Sequence, residues 1–269
     1  MRQLGRTLRR LREQVGYTQE EAGRRLRFSD KKISRLEQGQ LPGYHELRAM
    51  LDVYGLPVGD WDPIVALFER AEERGWWHAY GIDDRGFVAL EAEASVVRSY
   101  QLGQMPGLLQ TEAYIRAGAS GTREPPKARA LENQVAVRLR RQRRLIEEPL
   151  LQFHTIMDES VLWRPVLTGA EQRAQLQHIV ERARLHTVKV QVIPLSIGGH
   201  DGRDGNFSVL SFPDPHEPDI AYVEQAFASF HIEEEPKVRA ARLAFEYLAD
   251  LALDEQDSIA LIERLSTEL

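Results

Sequence analysis

The chain has 269 residues, 42% of them hydrophobic, and a formal net charge of −6, a composition suited to a globular protein with room for more than one core. It contains no cysteine, which excludes disulfides, thiolate catalysis and cysteine-ligated zinc or iron–sulfur centres. No apolar run approaches the ~20 residues that cross a bilayer, and the first residues, MRQLGRTLRR, have no signal-peptide core, so the expected location is the cytoplasm.

The opening residues predict an amphipathic, arginine-rich helix. Two shorter helices follow within TQEEAGRRLRFSDKKISRLEQG, Thr18 to Gly39. Thr18 can cap the first, with Glu21 three residues on completing a capping box, and Ser29 can cap the second. In the second, Ile33 and Leu36 are spaced to face inward, which leaves Asp30, Lys31, Ser34 and Arg35 pointing out. Two short helices with a tight connection and a polar, cationic second face describe a helix-turn-helix, whose second helix enters the major groove of duplex DNA.

Charge agrees with that reading. Residues 1 to 50 hold twelve Lys/Arg and six Asp/Glu, a balance of +6, so the remaining 219 residues carry −12. A basic head on an acidic body is the asymmetry expected of a nucleic-acid binder. Taken singly, Arg9, Arg10, Arg24 and Arg25 are equally compatible with ordinary solvated helix faces.

The stretch from Leu4 to Tyr54 resembles the five-helix DNA-binding domain of the Xre/Cro repressors, on the strength of Arg12, Thr18 with Gln19, and Glu37 with Gly39. The resemblance implies that Arg12 and Glu37 form a structural ion pair and that Gln19 hydrogen-bonds the phosphate backbone. It implies bases for Asp30, Lys31 and Arg35, and phosphates for Lys32 and Gln38. Thr18, Ser29 and Ser34 complete the expected DNA-facing set. Two positions depart from the family pattern. Gly23 replaces an alanine where helices approach closely, at roughly 1 kcal/mol of helix propensity. Arg27 replaces a glycine of positive φ, so either the arginine accepts a left-handed conformation or the turn differs.

A fourth helix is expected in PGYHELRAMLDVYGL. A fifth should start at Gly59 to Asp62 and run to about Gly75 with Trp61, Ile64, Val65, Leu67 and Phe68 as its buried stripe. Trp76 and Trp77 come next, then the Gly- and Asp-rich turn Gly81 to Gly86. The expected boundary is residue 80, giving domains 1–80 and 81–269. The tryptophans suit either packing beside that boundary or, with Tyr100, an apolar ligand pocket.

Phe87 to Ala117 contains helix-like and extended pieces around the breaker Met105, Pro106 and Gly107. Pro125 to Glu147 predicts a long helix with Leu131, Val135, Leu139, Leu145 and Ile146 as its stripe. Arg138, Arg140, Arg141, Arg143 and Arg144 lie on several faces of it, suited to a second DNA contact or to solvation and ion pairing. Strands are predicted at Leu150 to Met157, Val188 to Pro194, Asn206 to Phe212 and Ile220 to Val223. A crossover helix, Gly169 to Leu185, lies between the first two. Helices Pro236 to Leu253 and Glu255 to Leu265 close the chain. The expected fold class is α+β: an all-α five-helix head, then a mixed α/β domain with a central sheet and C-terminal helices.

The segments LEAEASVVRSY, MPGLLQTEAYIRA, VRLRRQRRL, MDESVLWRPV and VQVIPLSIGGHDGRDGNFSVLSF closely resemble the DUF5753, or Scr1-like antitoxin regulator, domain found behind an Xre-type head in actinobacterial regulators. The resemblance implies transcriptional control and a small DUF397-type protein as partner. Helix-turn-helix heads gain affinity by pairing on two half-sites, so a homodimer on a double-stranded operator is expected. The alternative is a repressor sensing a small molecule in the C-terminal domain. Catalysis is not expected and no cofactor is implied. His200, Asp201 and Asp204 lack a fixed metal partner set, Asp158 and Glu159 suit a strand-end turn, and no HExxH, P-loop or GxGxxG occurs.

Overall fold

Five helices build the first part of the molecule in a computed structural model, which describes residues 2–72, 75–82, 86–225 and 227–268. They are α1 (Arg2–Gln14), α2 (Gln19–Leu26), α3 (Asp30–Glu37), α4 (Tyr44–Val53) and α5 (Asp62–Glu72). The chain divides into two compact units at Trp76 and Trp77, and residues 83–85 of the expected Gly81 to Gly86 turn lie outside the described residues. None of the described helices is long and apolar enough to cross a membrane.

The head closes around one core because each helix offers an apolar stripe at helical spacing. Leu4, Leu8 and Leu11 of α1 meet Ile33 and Leu36 of α3, Leu47, Met50 and Leu51 of α4, and Ile64 and Phe68 of α5. Burying each such side chain contributes about 1.5–3 kcal/mol. Trp61 is buried beside them with its indole Nε1 donating to the Leu56 carbonyl at 2.8 Å. The closest approach is backbone to backbone. A Cβ placed on Gly5 of α1 would lie 2.7 Å from the carbonyl oxygens of Leu36 and Glu37 at the end of α3.

The second unit contains α6 (Phe87–Glu93), β1 (Val96–Gln101), α7 (Glu112–Ser120), α8 (Ala128–Gln142) and β2 (Gln152–Asp158). It continues with α9 (Ser160–Trp163), α10 (Gly169–Ala183), β3 (Val188–Ile193), β4 (Phe207–Ser211), β5 (Ile220–Gln225), β6 (Ala228–Ile232), α11 (Glu235–Leu251) and α12 (Glu255–Glu268). The six strands form one sheet in the order β3-β2-β1-β4-β5-β6. The β3-β2-β1 half is parallel and the rest antiparallel, so α10 serves as the crossover between β2 and β3.

Two strands extend the predicted set. β1, whose VVRSYQ suggests no more than an extended piece, is central and pairs with both β2 and β4. β6 was missed because it is an edge strand with Ser229, Phe230 and His231 exposed, and so lacks the inward alternation of a buried strand. In α8 the expected stripe shifts. Val135, Val137 and Gln142 are buried, whereas Leu139 is exposed and Ile146 falls beyond the helix in solvent. The inward face of α8 is instead the one that carries Arg138 and Arg141.

Candidate nucleic-acid interface

The turn that presents α3 is set by local chemistry. Thr18 Oγ1 accepts from the Glu21 amide at 3.2 Å while Glu21 accepts from the Thr18 amide at 2.7 Å, the reciprocal capping box that the spacing predicts. The Thr18 amide, and after it the Thr18 hydroxyl, donate to Glu21 Oε2 and hold the Glu21 carboxyl below the usual carboxylate range. Ser29 Oγ accepts from the Lys32 amide at 3.1 Å and so starts α3. Between the caps Arg27 adopts φ 56° and ψ 37°, which resolves the expected choice in favour of the left-handed conformation. Gly23 stands at a close approach with no room for a side chain: a Cβ there would sit 2.8 Å from the Phe28 carbonyl oxygen.

A left-handed arginine costs about 1–2 kcal/mol that glycine does not pay. Arg27→Gly is therefore expected to stabilise the head by about 1 kcal/mol. Urea unfolding of the full-length pair of proteins checks this, and a midpoint that falls would show that the arginine side chain contributes more than its backbone costs.

The far end of α3 is anchored inside the head. Arg12 Nη2 donates to Glu37 Oε2 at 3.0 Å and its Nε donates to Oε1, with both side chains almost wholly buried. This pairing raises the Arg12 pKa above its ordinary value. Gln19, for which a phosphate contact was expected, donates through Nε2 to Glu37 Oε2 at 2.9 Å. Desolvation first, and the Glu37 charge second, push the nearby Tyr54 hydroxyl up to about 12.

On the outer face, Ser29, Asp30, Lys31, Arg35 and Gln38 are exposed, and Ser34 is half-buried and accepts from Gln38 Nε2 at 3.3 Å. Thr18 is exposed at the start of α2. Among the described residues no acid pairs with Lys31 or Arg35. Lys32 departs from expectation: its ammonium donates to Glu46 and lies 4.0 Å from the centre of the Phe28 ring, so its charge is engaged within the head. Sequence spacing holds no signal for that bond, since Glu46 belongs to α4, fourteen residues away.

The three residues expected to hold a ligand are divided between the two units. Trp76 closes the first unit, while Trp77, which is buried, opens the second. Tyr100 is fully buried on the α11 side of the sheet, packed with Ile156, Phe245 and Leu248. A Cβ on Gly202 would lie 2.6 Å from its ring. Because alternate residues of a strand point to opposite faces, Tyr100 cannot share a cavity with Val97, Ser99 and Gln101, which point the other way. Near it, His200 Nε2 lies 3.7 Å from Asp158 Oδ2. Ser160 donates to Asp158, and Glu159 accepts from the Leu195 amide at 2.8 Å, both structural roles at a strand end. Among the described residues no three His, Asp or Glu side chains are grouped to hold a metal ion.

The arginines of α8 divide by face. Arg141 forms a two-pronged bond with Glu91 at 2.6 and 2.8 Å. Just beyond the helix, Arg144 donates to the carbonyls of Glu91, Ala92 and Ala94. These groups brace α6 and the start of β1 rather than face a polyanion.

Comparison with known families gives two matches. Residues 3–62 match the family described as "Helix-turn-helix domain", and residues 84–264 match the "Domain of unknown function (DUF5753)". No curated protein and no solved structure matches the chain.

Proposed function

The chain belongs to the DUF5753 family and carries a helix-turn-helix domain ahead of that region, and from this premise we propose a sequence-specific transcriptional regulator that acts in the cytoplasm as a homodimer. Residues 1–80 bind the operator and residues 81–269 form the regulatory part, which docks a small DUF397-type protein and so shifts the balance between DNA-competent and incompetent states. The observation that carries the DNA reading is the outer face of α3. Lys31 and Arg35 are exposed and unspent on a helix whose start is capped by Ser29 and whose end is buried through Glu37. Paired heads would read half-sites about one helical turn apart.

Genome-wide mapping of bound sites, followed by titration of the recovered duplex, tests this. Arg35→Ala is expected to cost about 1–3 kcal/mol of operator affinity and to relax preference at one base pair, as loss of a bidentate guanine contact would. Its thermal melt should match the wild type, because among the described residues no acid pairs with the Arg35 side chain. Unchanged affinity and selectivity would remove Arg35 from the interface, and absence of preference for any duplex would remove the regulator reading.

A further inference from the structure

The central sheet carries a polar floor on the face where a core is expected to be apolar. Ser99 of β1 registers with Ser208 of β4, and Ser208 with Tyr222 of β5. The two serine hydroxyls are buried and 3.1 Å apart, and Gln101 Nε2 donates to Ser99 Oγ at 2.8 Å. Above this floor lies a cavity of about 120 Å³, covered by the Met105 to Gly107 breaker and the inward face of α8. Four charged side chains line it: Arg138, Arg141, Glu91 and Glu224.

Their commitments differ. Arg141 and Glu91 satisfy one another through the two-pronged bond. Arg138 donates to the neutral amide oxygen of Gln110, and burial, with the neighbouring Arg141 charge, pulls its pKa down. Glu224, on the exposed side of the cavity, is close enough for its charge to act on both arginines yet forms an ion pair with neither. A half-buried cation held on an amide, in one small cavity with an unspent carboxylate, is poorly justified by stability alone. Both charges, and the polar floor, suit a guest that brings the opposite pair.

We propose that this cavity binds a small zwitterion of the α-amino-acid class, its carboxylate on the Arg138 guanidinium and its ammonium toward Glu224. Guanidinium is the side chain best matched to a carboxylate, through two parallel N–H donors. Gln101 and Ser208 offer neutral hydrogen bonds to the remainder of the guest. A dianion would meet Glu224, and a cation lacking a carboxylate would meet Arg138. The site does not depend on the DNA-binding reading, and its test needs no DNA.

The experiment is calorimetric titration of the full-length protein with each standard L-amino acid. Each one that binds is then compared with its deaminated acid and its amide, for example propionate and L-alaninamide for L-alanine. At least one amino acid should bind more tightly than about 1 mM and raise the melting temperature, and both analogues should bind at least about tenfold more weakly. Arg138→Gln and Glu224→Gln should each abolish the response. Glu224 lies on the exposed side, so Glu224→Gln remains decisive if Arg138→Gln does not fold. Absence of binding by every amino acid, equal binding of the deaminated acid, or wild-type affinity in Glu224→Gln would overturn the proposal.

Discussion

Replacing Glu37 with alanine is expected to destabilise the head by about 3–5 kcal/mol. Arg12 would keep its charge in an almost wholly buried position while losing the carboxylate that both its Nε and Nη2 address. Gln19 would lose its acceptor at the same time. The loss is therefore more than one bond: Arg12 Nε and the Gln19 amide lose their acceptor, and Arg12 Nη2 keeps only the Glu13 carboxylate at 3.4 Å. Urea unfolding of the full chain, followed by amide exchange in residues 2–72, measures it. Glu37→Gln, which keeps one carbonyl acceptor but no charge, should lose less. Operator binding should fail in Glu37→Ala although the residue faces away from DNA, the reverse of Arg35→Ala, which should bind poorly and melt normally. Equal melting of wild type and Glu37→Ala would show that the pair contributes nothing to the head.

The second large effect is expected in the body. Glu91 is 3% exposed at its side chain and takes both prongs of Arg141. Glu91→Ala should cost about 3–5 kcal/mol, for the same reason that a buried ion costs most when it is alone. Removing both charges, in Glu91→Ala with Arg141→Met, should recover much of that loss, since a methionine covers similar apolar ground without a charge to satisfy. Differential scanning calorimetry of the single and double variants decides it. A double variant as unstable as Glu91→Ala would mean that the geometry of the fork, rather than the stranded charge, sustains this corner of the sheet.

Features whose causes lie within a few residues were legible before the fold was known. The caps at Thr18 and Ser29 act over three residues, and both form as their spacing predicts. The crossover helix α10 and the strands on either side announce themselves by a change of period from 2 to 3.6. Features decided between distant segments were not legible. Periodicity shows that Arg138, Arg140, Arg141, Arg143 and Arg144 are spread over several helix faces. It holds no information that an acid fifty residues earlier waits for one of them. Likewise the alternation in β1 separates Tyr100 from Ser99 and Gln101, but which face is sealed by α11 and which opens into a cavity is set by what packs there. The Arg12 and Glu37 pairing came from family resemblance and not from the spacing of the two residues, which stand 25 apart. Within α3 the pattern separated inner from outer residues correctly for Ile33, Leu36, Lys31 and Arg35. It missed that Lys32 spends its charge on Glu46.

The bare contact at Gly5 has a mechanical meaning. With main-chain oxygens of Leu36 and Glu37 resting where a side chain would stand, α1 acts as a stop against which α3 is seated, and well-packed interiors do not yield smoothly to displacement. On the proposed reading, a signal would therefore have little room to rock α3 inside its own domain. On the same reading, control would be left to occlusion of α3 from outside or, in a homodimer, to how two heads are spaced along a duplex.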